Sequence, residues 1–222
     1  MGLIQLSEYR DDVNRALGEL ALEDPDVNRY VNNAYYDIAG SIDFEILEEI
    51  DESKSTTTGV AHVVYPEGAI LIKQVKDTLN GLLLTYTQKE EHFRKQYLTT
   101  GAPKSWTAHK NTIRFAPTPN AAIPLLIVFK KLPEPLIGDG DVSVFPHHWD
   151  QPIFLLSVHY AFLALGQEVR ASVWLARAIA SIQSRITDHD FFISTASLGQ
   201  TVPAGAENLI KQLQGIQGRG GA

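Results

Sequence analysis

Residues 104–116 read KSWTAHKNTIRFA, and their pattern decides how the middle of the chain folds. KSWTA and TIRFA are joined by His109, Lys110 and Asn111. Ile113 and Phe115 fall on one face, with Thr112 and Arg114 on the other. Alternation with period two around a short polar joint is the signature of a β-hairpin. Upstream, SKSTTTGVAHVVYPEG from Ser53 carries polar β-formers and Gly into Val60, Val63, Val64 and Tyr65, a period too short for a helix. Ala69–Val75, Gly81–Thr87 and Ile123–Phe129 are further strand candidates, and Glu90–Tyr97 reads as a short helix among them.

Downstream, Pro117, Pro119, Pro133, Pro135 and Pro146, with a Gly/Asp-rich connection at 138–141, end the β region, since proline removes ladder donors and fixes turns. Helix resumes near Asp150, read as a cap, with Pro152 in the first turn. Ile153, Phe154, Val158, Ala161, Phe162 and Leu165 lead to a stop at Gly166. A second helix over Glu168–Arg185 uses Val169, Val173, Trp174, Ala176 and Ile179, and two helices joined at one Gly pack antiparallel.

The other end of the chain is also helical. Ser7 is read as the cap of a helix with Tyr9, Val13, Ala16, Leu17 and Leu20 on one face. Asp24-Pro25 starts another, in which Val27, Tyr30, Val31, Ala34, Tyr35, Ile38 and Ile42 form an apolar stripe. The stripes at both ends must meet to be buried. The expected fold class is α+β: N- and C-terminal helix pairs forming a helical bundle, with an inserted, mainly antiparallel β domain. The expected divisions are 1–52 and 146–198 for the helix pairs, 53–145 for the insertion, and 199–222 for a flexible tail.

The chain has 222 residues and no cysteine, which excludes disulfides, thiolate zinc sites and a cysteine nucleophile. It suits folding in a reducing cytoplasm. MGLIQLSEYRDD shows no signal-peptide pattern. The longest apolar stretch, Ile153–Leu165, is interrupted by polar residues and falls short of the roughly 20 that span a bilayer, so no membrane partner is expected. The net charge of −7 is uneven: residues 1–65 carry −10 and the remainder +3. An acid block of this size repels phosphate and argues against direct DNA binding.

Reactive groups are scattered. His147, His148 and Asp150 form the densest cluster, with His189 between Asp188 and Asp190, but none has the H-E-x-x-H spacing of a metal site. Asp150 as a helix cap with solvated histidines accounts for the first group. Glu48, Glu49, Asp51 and Glu52 read as a solvated acid run rather than a catalytic pair. Phe93, Arg94, Lys95 and Tyr97 interleave aromatic and basic groups on too short a segment for nucleic-acid stacking. Nucleophile-elbow, P-loop and dinucleotide motifs are lacking, so no catalytic residue, cofactor or metal is expected.

With these features in place, the chain resembles the head-to-tail connector (adaptor) proteins of tailed bacteriophages. The resemblance is carried by VNRYVNNAYYDIAG in the N-terminal helix pair, NTIRFAPTPN in the β region and the LPEPL turn. FPHHWDQPI opens the last helix pair, and RASVWLARAIASI forms its second member. It spans nearly the whole chain by order of elements, and the β insertion is large beside the smallest, mainly helical members.

The resemblance implies a virion protein at the head-tail interface: a dodecameric ring under the portal, receiving a tail or tail-completion protein on its other face. Copies contact one another around the ring, and DNA passes through without specific binding. Glu45, Glu48 and Glu49 are then candidate channel-facing acids. Leu209, Ile210, Lys211, Leu213, Ile216 and Arg219 of the tail are the candidate portal-docking surface. Rival readings are a tail-completion or tube-terminator protein and a small cytoplasmic hydrolase built from scattered His and Asp.

Overall fold

The alternation of residues 104–116 is realised as two paired strands around a two-residue loop. They are seen in a computed structural model that describes residues 4–96 and 99–196. In chain order the elements are helices α1 (Leu6–Leu17) and α2 (Asp24–Ser41), strands β1 (Glu48–Asp51), β2 (His62–Val64), β3 (Ala69–Asp77), β4 (Leu82–Leu83) and β5 (Thr85–Tyr86), and helix α3 (Lys89–Gln96). Strands β6 (Thr100–Gly101), β7 (Ser105–His109), β8 (Thr112–Ala116), β9 (Thr118–Pro119) and β10 (Leu125–Lys131) follow, then helices α4 (Asp150–Ala164) and α5 (Glu168–Ala196). The fold class is α+β, and the chain divides into a helical unit, Met1–Ile46 with Pro133–Ala222, and a β unit, Leu47–Leu132.

In the helical unit, α1 buries Leu6, Tyr9, Val13 and Leu17, and α2 buries Val27, Tyr30, Val31, Ala34, Tyr35, Ile38 and Ala39. Both pack on α4, which also packs on α5. α4 is buried on nearly every side, through Ile153, Leu155, Leu156, Val158, Ala161 and Phe162, so it forms the centre of this unit rather than a surface helix. Gly166, at φ +68°, lets the chain reverse into α5 while Gln167 N–H reaches Phe162 O at 2.9 Å. Only glycine takes that backbone conformation without a Cβ penalty.

The caps of α1, α2 and α4 differ from the sequence expectation, α4 starting at Asp150 itself. α1 is capped at Gln5, whose backbone N–H donates to Glu8 Oε2 at 2.9 Å. Ser7 lies inside the helix and its hydroxyl donates to Asp139 O at 3.0 Å. α2 is capped at Glu23, with Pro25 in its first turn. The Pro133–Pro146 connection is held by side-chain pairing: Asn32 exchanges two hydrogen bonds of 2.8 Å with the backbone of Leu136. The Asp141 carboxylate accepts from Ile137 N–H and Gly138 N–H at 2.7 and 2.8 Å, which holds its pKa below the ordinary carboxylate value.

The β unit contains two four-stranded sheets, in the orders β1-β10-β3-β4 and β2-β8-β7-β5, and a small β6-β9 pair. Pairing is antiparallel except at β5–β7 and β6–β9. Ile72, Val75, Leu125, Ile127 and Phe129 from the first sheet meet Trp106, Ile113 and Phe115 from the second in one core. A bulge in β3 makes this fit: Val128 pairs with Gln74 and Phe129 with Ile72, leaving Lys73 as the extra residue. Ile72 and Val75 therefore both face the core although three positions apart.

The β7–β8 loop consists of Lys110 and Asn111, with φ of +47° and +56°, and His109 pairs directly with Thr112. Positive φ at both positions is what a type I′ turn requires, and Gly at the second position satisfies it best. Asn111→Gly should stabilise the protein by about 0.5–1 kcal/mol, and Asn111→Val should destabilise it, as read from urea unfolding midpoints. Destabilisation by glycine would contradict this account of the turn.

Candidate interaction surfaces

The acid block resolves into neutralised and free charges. Glu48 and Glu49 lie on β1, opposite Lys130 and Phe129 of β10. Glu48 forms an ion pair with Lys73, the bulge residue of β3, and Glu49 lies 3.7 Å from Lys131. Asp51 turns back to accept from the backbone N–H and the hydroxyl of Ser53 at 2.7 and 2.6 Å. Glu45 stands in the turn Glu45–Leu47, is exposed, and makes no ion pair among the described residues. Of the three acids expected to face a channel, two have lysine partners and one is available to a neighbour.

Glu45 also borders a groove in the helical unit with a cavity volume of about 380 Å³, lined by Phe44, Glu45, Ile46, Val144, Phe145 and Pro146. Its floor is an aromatic cluster. Phe44 stacks on Phe145 at 4.2 Å between ring centroids and meets Trp149 edge-on at 5.0 Å. Ile46 and Val144 are exposed to 62% and 43%, so apolar contact area and one carboxylate are offered together.

The His147/His148/Asp150 cluster is structural. Asp150 is 2% exposed and does not cap α4; Tyr9 O–H donates to its Oδ1 at 2.7 Å, and His147 Nδ1 lies 3.2 Å from Oδ2. Burial, with the carboxylate as acceptor, pushes the Tyr9 phenol far above its ordinary pKa, so the hydroxyl stays a donor. His148 supplies its backbone carbonyl to Arg185, which also donates to Gln151 Oε1 at 2.8 Å. These bonds tie α1, α4 and α5 together. No group of metal-ligating residues of the size a metal site needs occurs among the described residues. The side chains of Asp188, His189 and Asp190 lie outside them.

A third surface escaped the sequence reading. The stretch Leu79–Gln88, LNGLLLTYTQ, contains no charged residue. It forms β4 and β5, the end strands of the two sheets, and exposes Leu79, Leu82, Leu83 and Tyr86 to between 54% and 68%. Edge strands of isolated proteins are usually blunted by charge or proline, and this one is not. The opposite end strands, β1 and β2, expose Ile50 and Val64, each to 62%, and Glu49 and Glu52 flank Ile50 in the chain. The uncharged run was the available signal. The tail residues Leu209, Ile210, Lys211, Leu213, Ile216 and Arg219 lie outside the described residues, as do Tyr97 and the side chains of Arg94 and Lys95. No helix among the described residues is long and apolar enough to cross a membrane.

The family model described as SU10 adaptor protein matches residues 4–198. The chain belongs to the SU10 adaptor protein family, in agreement with the resemblance to phage head-to-tail adaptors. It is thus a viral adaptor, a structural class in which catalysis is not the expected role. A search of curated proteins gave no match.

Tyr9→Phe keeps the ring and leaves Oδ1 of the buried Asp150 without its Tyr9 donor. It should lower stability by about 1–3 kcal/mol while far-UV circular dichroism stays unchanged. An unaltered unfolding midpoint would show that the Tyr9–Asp150 bond does not hold α1 to α4.

Proposed function

We propose that this chain is the head-to-tail adaptor of a tailed bacteriophage, forming a ring that joins the portal to the tail and lines the DNA path in the virion. The family match over residues 4–198 carries this reading. The N- and C-terminal helices form the bundle that anchors each copy, and the β unit supplies contact surfaces. Neighbouring copies are joined through the two unlike edges of the β unit. The apolar β4–β5 edge, flanked by Lys76, which makes no ion pair among the described residues, meets the β1 and β2 ends, where Ile50 stands between Glu49 and the Asp51-Glu52 pair and Val64 is exposed. Two different patches, one for each neighbour, are what a closed ring of identical copies requires.

The acid block faces the DNA passage, where negative walls let a polyanion slide without sticking. Of the three candidate channel-facing acids, Glu45 makes no ion pair among the described residues, whereas Glu48 and Glu49 contribute through pairs already offset by lysine. The tail from residue 199, with Leu209, Ile210, Lys211, Leu213, Ile216 and Arg219, docks on the portal, leaving the β unit for a tail or tail-completion protein.

Incubation with purified portal rings tests both contacts. The natural chain should saturate the portal as a closed ring. Leu83→Lys should bind portal without closing rings, and truncation after Leu198 should abolish portal binding while leaving the fold intact. Full ring closure by Leu83→Lys would remove the edge contact from the account, and saturation by the truncated chain would remove the tail.

A further inference from the structure

The groove lined by Phe44, Glu45, Ile46, Val144, Phe145 and Pro146 lies at one end of the helical unit. α2 ends at Ser41, shortly before Phe44, and α4 begins at Asp150, shortly after Pro146, so the ends of these two helices frame it. α5 runs back along α4 from Gly166 and reaches the same end, where Arg185 donates to the His148 carbonyl and to Gln151 Oε1. Beyond that contact α5 continues to Ala196, roughly 16 Å at the rise of an α-helix. The last residues of the chain are therefore delivered to the end of the unit that holds the groove.

Groove and chain end are complementary. Phe44 and Phe145 form a closed aromatic floor, Ile46 and Val144 stand exposed on the rim, and Glu45 beside them makes no ion pair among the described residues. In residues 199–222 the large apolar side chains are Val202 and the group Leu209, Ile210, Leu213 and Ile216, which recurs at the spacing of one helix face. Two turns cannot hold a helix alone in water, and nothing else in this segment offers them a core, so that face must be buried on another surface. Charge points the same way. From Asn208 onward the chain carries Lys211 and Arg219 and no acid, whereas residues 1–46, which supply one wall of the groove, hold ten acids against three bases. The twelve residues between Ala196 and Leu209 span up to about 40 Å when extended, enough to return over the length of the α5 extension.

We propose that in the free protein the segment Asn208–Arg219 folds back into the groove of its own chain, its aliphatic face covering Ile46 and Val144 and the Lys211 ammonium pairing with Glu45. The tether sets an effective concentration of order millimolar, so a contact of small area suffices within one chain where it would not hold two chains together. The contact belongs to the unassembled chain and does not depend on what the tail does at a portal.

The chain has no cysteine, so a pair can be introduced without background. Ile46→Cys with Leu213→Cys is incubated with oxidised glutathione in the absence of portal, and disulfide formation is followed by mass spectrometry of the unreduced protein. Ala180→Cys with Leu213→Cys is the reference: Ala180 is exposed on α5 and closer to the tail in the chain, so a tail with no preferred site would find it at least as readily. The Ile46 pair should close within one chain roughly tenfold faster than the reference, at a rate unchanged by dilution. Adding Leu209→Asp and Ile216→Asp should bring it down to the reference rate, and adding Glu45→Lys should slow it. Closure no faster than the reference, disulfides formed only between chains, or closure undiminished by either change would each overturn the proposal. None of these readouts involves a portal, so such a failure leaves the portal reading to its own test.

Discussion

The antiparallel pairing of β1 with β10 is the constraint on which this architecture rests. These are the first and last strands of the β unit, and Glu48 stands opposite Lys130. The chain therefore enters and leaves the unit through adjacent strands. An insertion whose ends lie side by side can interrupt a helical fold between two of its helices without stretching either connection. The Glu48–Lys73 and Glu49–Lys131 ion pairs reinforce the same edge, and the β3 bulge supplies the first of those lysines. An acid run in the sequence is thereby a neutralised strand in the fold.

The helical unit depends on an equally specific device. α4 is surrounded by α1, α2 and α5, and burial of its apolar side chains supplies most of the attraction. Apolar packing alone leaves helix register loosely fixed. The Tyr9–Asp150 bond, the Arg185 contacts with His148 and Gln151, and the Asn32 pairing with Leu136 are directional and fix which residues meet. These polar contacts, of which Tyr9–Asp150 is the buried one, serve specificity in this unit.

Much of this was legible in the sequence where local pattern decides structure. The stripe from Val27 to Ile38 and the alternation around Ile113 and Phe115 gave α2 and the β7–β8 hairpin in their places. What escaped depended on partners distant in the chain. Glu48–Asp51 reads as solvated acid until Lys73 and Lys131 are brought beside it. Asp150 reads as a cap until Tyr9, 141 positions away, claims its carboxylate. β6 and β9, two residues each, are too short to show a period. The exposed edge at Leu82 and Leu83 had a signal in its uncharged run, but exposure itself follows only from strand order.

For an adaptor, the fold offers contacts of different chemistry on separate elements: an apolar edge, an edge of ion-paired acids and a groove bordered by Glu45, which makes no ion pair among the described residues. The central claim is that these surfaces serve a place between portal and tail. Cross-linking mass spectrometry of intact virions measures it most directly. The account predicts links from Lys211 to the portal protein and from Lys104 or Lys110 to a tail protein. Absence of the chain from purified particles, or links from Lys211 to tail proteins alone, would contradict it.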